Sequence, residues 1–236
     1  MKQRIVHLSI LFTFSIMSFA SHKVYVIHGF GGIKLQMSKI NNSLLKEGYL
    51  TENYSYHSFT TDIDSVAKEL YIKIKAEKFD SVSFVTHSMG ALIVRSLYKN
   101  IVSKAEFPFI YRIVMLAPPN KGTEVANIYS CKLTRFFFGP NVDKLKTGDN
   151  CFAKSLPIPD CEVGILAGMK GKKPWYNPSL KDDNDGNVSL NLTTLGIEKD
   201  AVEIHSTHNL MTIQTKVCKL IVSFINKGKF NSEYIF

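Results

Sequence analysis

Short apolar runs alternate along this chain with segments of helical period, and that alternation limits the folds open to it. Val24–Ile27, Ser81–Val85, Ile110–Leu116 and Val163–Ala167 are rich in Val, Ile and Leu. Runs of this kind suit strands that are covered on both faces. Between them lie amphipathic stretches. Ile33 to Glu47 carries Leu35, Ile40, Leu44 and Leu45 and is closed by Gly48. A second stretch opens at Asp62, a good N-cap, and repeats Ile63, Val66, Ala67, Leu70 and Ile74 at helical spacing. Ser88 to Ser103 carries Leu92, Val94, Leu97 and Ile101. Tyr49–His57 and Ala201–Ile204 read as further strands, and Asn209–Ile225 as a last helix. Strand, helix, strand, helix predicts an α/β architecture: a mostly parallel sheet with helices on both faces.

The rhythm breaks at Pro118-Pro119, and no strand pattern returns between Lys121 and Cys161. We read residues 121–161 as a small cap inserted over the carboxyl edge of the sheet. It holds Phe136-Phe137-Phe138 beside Lys132 and Arg135. A mobile apolar cap over a binding site would use such residues; the insertion's own packing would use them equally well.

Residues 1–20 stand apart. Lys2 and Arg4 precede a run of Ile, Leu, Phe and Met without an acidic residue, and Ser18-Phe19-Ala20 offers small residues for cleavage. The pattern is that of a secretory signal peptide, and the run is short for a membrane anchor. The remaining 21–236 is the length of one domain. The net charge of +9 falls to +7 once Lys2 and Arg4 are removed. Basic side chains are scattered, with no zinc-finger, helix-turn-helix or aromatic RNA-binding motif, so nucleic acid is not an expected partner. Export permits disulfides. Cys131, Cys151 and Cys161 share one loop-rich stretch, where Cys151 could pair with either neighbour, while Cys218 lies in an apolar helical pattern and reads as a core thiol. Their spacing is not that of zinc ligands.

Four segments carry chemistry. Thr86-His87-Ser88-Met89-Gly90 lies between a strand and a helix. A serine hydroxyl becomes a nucleophile only when a base takes its proton and when it projects clear of the backbone. A tight strand-to-helix turn projects it, and small residues are needed on either side of that turn. Gly90 fits; Thr86 stands where glycine is usual. His28-Gly29-Phe30-Gly31-Gly32 follows the first strand, where a Gly-rich loop can aim an N–H group at a developing oxyanion; Phe30 and Met89 are the candidate donors. Asp182-Asp183-Asn184-Asp185-Gly186 offers the acid, Asp185 first and Asp183 as fallback. A solvated acidic turn is the alternative, and the spacing is not that of an EF-hand. His205-Ser206-Thr207-His208 offers the base, and His208 lies deeper in its loop. His28 and His87 read as hydrogen-bonding residues of the site's loops. The chain order Ser88, Asp185, His208 is the order found in one hydrolase fold.

These segments resemble the lipase-like α/β hydrolases, close to small bacterial triacylglycerol lipases and esterases and to GPI inositol-deacylase-like lipases. The resemblance runs from Val24 to Phe230 and adds Leu116-Ala117-Pro118-Pro119-Asn120-Lys121-Gly122-Thr123-Glu124, Asp185-Gly186-Asn187-Val188-Ser189 and His208-Asn209-Leu210-Met211. Thr86, Ala91 and Asn187 depart from the usual residues, and none of these departures removes a reacting group. The resemblance implies an α/β-hydrolase fold and a serine carboxylic ester hydrolase, with Ser88 as nucleophile, Asp185 and His208 as acid and base, and Phe30 and Met89 at the oxyanion. No metal or organic cofactor is expected. A lipid or small-molecule ester is the expected substrate, with contact at a lipid interface, and the protein is expected to be a secreted or periplasmic monomer. An acyltransferase or an inactive binding protein on the same fold are the competing readings.

The leader generates one prediction. Mass spectrometry of exported protein should find the mature amino terminus at or near Ser21, and intact Met1 in soluble exported material would contradict it.

Overall fold

A computed structural model describes residues 21–128, 139–169, 177, 180 and 182–234. Six strands form one parallel sheet in the order β2-β1-β3-β4-β5-β6. They are β1 (His22–Ile27), β2 (Leu50–Tyr54), β3 (Ser81–His87), β4 (Phe109–Leu116), β5 (Glu162–Met169) and β6 (Asp200–His205). The helices are α1 (Lys34–Lys46), α2 (Ile63–Glu77), α3 (Gly90–Leu97), α4 (Glu124–Ile128), α5 (Asn141–Lys144), α6 (Phe152–Ser155) and α7 (Thr215–Lys227).

Strand pleating divides the core in two. Successive side chains point to opposite faces. Tyr25 and Ile27 join Phe84, Ile113 and Ile165 under α2 and α3. Val24 and Val26 join Val85, Val114 and Leu166 under α1 and α7. Both faces are therefore apolar, which is why the strands read as continuous hydrophobic runs. The chain leaves β1 outward to β2 and returns inward to β3. This reversal opens a crevice at the carboxyl ends of β1 and β3, where sheets of this type bind ligands.

Several boundaries differ from the sequence expectation. The third helix ends at Leu97 instead of Ser103: Tyr98–Asn100 tightens into a 3₁₀ turn and Ile101 leaves helical space with ψ 88°. The last helix does not run from Asn209. Leu210–Ile213 is a 3₁₀ turn, and Gln214, at ψ 129°, separates it from α7. The chain must curl here because the His208 N–H is held by the Asp185 carbonyl at 2.9 Å. The second strand is shorter than Tyr49–His57, since Tyr56 turns away to stack on His28 at 4.2 Å.

Of the two pairings open to Cys151, the one with Cys161 is not formed. Both are free thiols. The Cys151 thiol lies against the Lys121 carbonyl at 3.5 Å, while Cys161 accepts from the Tyr98 hydroxyl at the entry to β5. Cys131 and Phe136–Phe138 lie outside the described residues. Cys218 is a buried free thiol in the α7 core.

The described part of the insertion is fixed to the body. Asn141 is fully buried; its amide donates to the Ser58 and Thr61 carbonyls at 2.8 Å and accepts from the Ile63 N–H at 3.0 Å. Lys144 pairs with Asp62 and Asp64 at 2.7 and 2.5 Å. Arg95 of α3 ties the base of the insertion. Its guanidinium is buried and donates to the carbonyls of Asn120, Leu156 and Pro157 at 3.0, 2.9 and 3.1 Å. Burial lowers its pKa to about 10, so it stays charged at neutral pH.

Arg95→Met should therefore strand the buried Asn120 and Leu156 carbonyls and the half-buried Pro157 carbonyl, and cost about 3 kcal/mol of stability. Arg95→Lys should recover only part of this, because an ammonium cannot reproduce the fork. Urea denaturation tests both, and a loss under about 0.5 kcal/mol for Arg95→Met would refute the tie.

Candidate active site

The site forms where β1, β3 and the loops after β5 and β6 meet. Ser88 follows β3 and sits at φ 52°, a left-handed conformation rare for a residue with a side chain. Its N–H continues the ladder by bonding the Leu116 carbonyl at 2.8 Å. The turn is so tight that its neighbours must be small. A Cβ on Gly90 would lie 2.8 Å from the Ile27 carbonyl oxygen, and one on Gly29 would lie 2.8 Å from the Ser88 Cβ. Thr86 is accommodated at its position in the turn, fully buried with its hydroxyl toward the Val114 carbonyl at 3.4 Å. The Ser88 side chain lines a pocket.

Asp185 and His208 are brought together. His208 Nδ1 is 2.7 Å from Asp185 Oδ2, and both residues are buried. The other carboxylate oxygen, Oδ1, accepts from the Asn187 and Val188 N–H groups at 2.9 and 2.8 Å. The acid is thus held by backbone on one side and faces imidazole on the other. With Nδ1 donating to the carboxylate, Nε2 is left as an acceptor. Asp183 is turned elsewhere, its carboxylate accepting from the Asn184 N–H at 3.0 Å. His205 is exposed at the end of β6.

Two further histidines, His87 and His28, hold the loops. His87 Nε2 donates to the His208 carbonyl at 3.0 Å, and the two rings lie 4.7 Å apart. Burial pushes the His87 pKa down to about 3, helped by the neighbouring His208, so His87 is neutral at physiological pH. His28 is held below the usual imidazole range by burial; its Nδ1 lies 2.9 Å from the Gly29 carbonyl oxygen, and its own carbonyl accepts from the Tyr56 hydroxyl at 2.8 Å.

The pocket has a volume of about 330 Å3 and is lined by Ser88 and His208 together with apolar residues. Phe30 forms part of the wall, its ring edge-on to Phe59 at 5.0 Å. Met89 heads α3 with its side chain fully buried. Val142 and Leu145, carried by the pinned insertion, form another wall, with Val125, Ala126 and Val188. Sequence reasoning missed these walls and the role of Asn141, because nothing in their local pattern separates them from ordinary core residues. Among the described residues no cluster of three His, Cys, Asp or Glu side chains could hold a metal ion.

Comparisons with known proteins agree on the fold. A family profile described as a domain of unknown function, DUF7379, matches residues 27–134. No curated protein sequence gives a significant match. Among solved structures, the chain is similar to the mature form of Bacillus licheniformis lipase BlEst2, with 18% identity, 88% of this chain and 90% of that chain covered, and a TM-score of 0.63. It is similar to phospholipase PlaB from Legionella pneumophila, with 21% identity and a TM-score of 0.58. That match covers 74% of this chain and 44% of PlaB, so the chain spans less than half the length of that protein. The metagenomic carboxyl esterase MGS0156 matches at 17% identity over 87% of this chain and 68% of its own, with a TM-score of 0.56. With its parallel sheet, its crevice between β1 and β3 and these structural neighbours, the chain has the α/β-hydrolase fold.

Proposed function

We propose that the protein is a serine carboxylic ester hydrolase that works through an acyl-enzyme. The observation that carries this reading is the buried Asp185–His208 contact of 2.7 Å, with His208 opening onto the same pocket as Ser88. A carboxylate that fixes the imidazole tautomer leaves Nε2 free to accept the serine proton. The Ser88 oxygen then attacks the ester carbonyl carbon. Negative charge gathers on the former carbonyl oxygen, where the N–H groups of Phe30 and Met89 are the donors. His208 passes its proton to the departing alcohol. A water molecule, deprotonated by His208, attacks the acyl carbon in turn and releases the acid and free Ser88.

The apolar walls of Phe30, Val142 and Leu145 suit an uncharged acyl group. Named neighbours in structure include a phospholipase, a lipase and a carboxyl esterase, which supports a lipid ester as substrate. The leader-like residues 1–20 support action outside the cytoplasm. In this reading residues 121–161 form the cap over the site.

Ser88→Ala should reduce hydrolysis of p-nitrophenyl esters by about a thousandfold or more and abolish labelling by a fluorophosphonate. Activity within about tenfold of the parent would sink the nucleophile assignment.

The two histidines separate cleanly. His208→Ala should remove the acylation burst, and His205→Ala should retain most of it, because His205 is exposed and the Asp185 carboxylate is held against His208. The reverse pattern in stopped-flow traces would overturn the choice of base.

A further inference from the structure

We propose that the surface formed by the first turn of α1 and the Leu210–Ile213 turn docks the protein on an anionic lipid bilayer, beside the mouth of the Ser88 pocket. Four large apolar side chains stand in solvent there: Ile33 at 61% exposure, Leu35 at 74%, Leu210 at 48% and Ile213 at 52%. They come from two segments distant in sequence that the fold holds together. Gln36 donates to the Asn209 side chain at 3.2 Å, and Lys39 donates to the Ile213 carbonyl and the Thr215 hydroxyl at 2.7 and 2.9 Å. The patch is therefore one preformed surface, and its apolar area is without a partner among the described residues.

Its charge names the partner. The segments that carry the patch, residues 28–40 and 206–216, contain no Asp or Glu and include Lys34, Lys39 and Lys216. Lys34 and Lys39 are exposed and form no ion pair among the described residues. Apolar side chains set among unpaired lysines match the acyl boundary and the negative headgroups of a bilayer. A second copy of this chain would bring lysine against lysine across a two-fold axis. The patch is also continuous with the pocket. Phe30 and Asn209 line the pocket, and Ile33 and Leu210 follow them closely in sequence. A lipid leaving the interface would meet the pocket without crossing water.

This docking stands apart from the ester chemistry, and its test avoids that chemistry. The chain beginning at Ser21, which contains every described element, is sedimented with vesicles of ether-linked phosphatidylcholine and phosphatidylglycerol. These lipids contain no carboxylic ester. Binding should be about tenfold or more weaker on pure ether-linked phosphatidylcholine and should fall as salt rises. Leu35→Ser with Ile213→Ser should weaken binding to the mixed vesicles by about tenfold or more, and Lys34→Glu should weaken it severalfold. Melting temperature and hydrolysis of a soluble short-chain ester should match the parent, which reports on folding and on the catalytic reading separately. Absence of binding to mixed vesicles, or unchanged binding by the folded variants, would overturn the proposal. So would a concentration-dependent dimer that the Leu35→Ser, Ile213→Ser variant loses.

Discussion

The left-handed turn at Ser88 is the constraint on which the rest of the site depends. A residue with a Cβ at φ 52° costs about 1–2 kcal/mol relative to ordinary backbone. Such a conformation persists only where its surroundings determine it. Here the Ser88 N–H is already committed to the Leu116 carbonyl, so the turn begins inside the sheet's hydrogen-bond ladder. Gly29 and Gly90 then close on it from two sides at distances no side chain would permit. The β1 loop is drawn against the β3 turn by these contacts. That draws Phe30 to the pocket that Ser88 lines. Sheet order, loop composition and strain are thus one arrangement.

Electrostatics divide the buried histidines by role. His87 and His28 are kept neutral by burial, and each is spent on backbone: His87 on the His208 carbonyl, His28 on the Gly29 loop. In the proposed mechanism, a charged imidazole at either place would oppose the positive charge that forms on His208. Asp185 does the opposite, since its carboxylate is satisfied by two N–H groups and reserves one oxygen for His208. A buried carboxylate with all its partners in place is stable there, while one left without them would not be. The neutral neighbours and the committed acid leave His208 as the imidazole held by a carboxylate at the pocket.

Much of this was legible because it is local. The apolar runs gave four of the six strands nearly in place, since a strand buried on both faces has no other composition available. Ser88, Asp185 and His208 stood out because strand-to-loop turns with glycine or acidic residues are chemically distinctive. What escaped was set by distant parts of the chain. The helix pattern continues past Leu97 and begins before Thr215, yet tertiary contacts end the first early and bend the second around His208. The cysteine spacing allowed a bridge that the fold does not make, because Cys151 and Cys161 are held by separate partners. The pocket walls at Val142 and Leu145 carried no signal at all, for their place depends on Asn141 and Lys144 contacting residues about eighty positions earlier.

That asparagine also fixes how the pocket can respond to a ligand. Asn141 accepts from the Ile63 N–H, one of the unpaired donors at the start of α2, while its amide holds the Ser58 and Thr61 carbonyls. Lys144, one turn on, pairs with Asp62 and Asp64 at the same helix end. The wall and the helix cap are therefore one hydrogen-bonded unit. Moving Val142 outward would free the Ile63 N–H and strand the Ser58 and Thr61 carbonyls, at about 1–3 kcal/mol for each group left without a partner. The cost ties this wall to the stability of the domain core, since α2 packs its Val66, Leu70 and Ile74 against the sheet. A ligand of this pocket must accordingly fit the space between Val142, Leu145 and Phe30 as the fold presents it, because the contacts that shape the wall also hold the domain together.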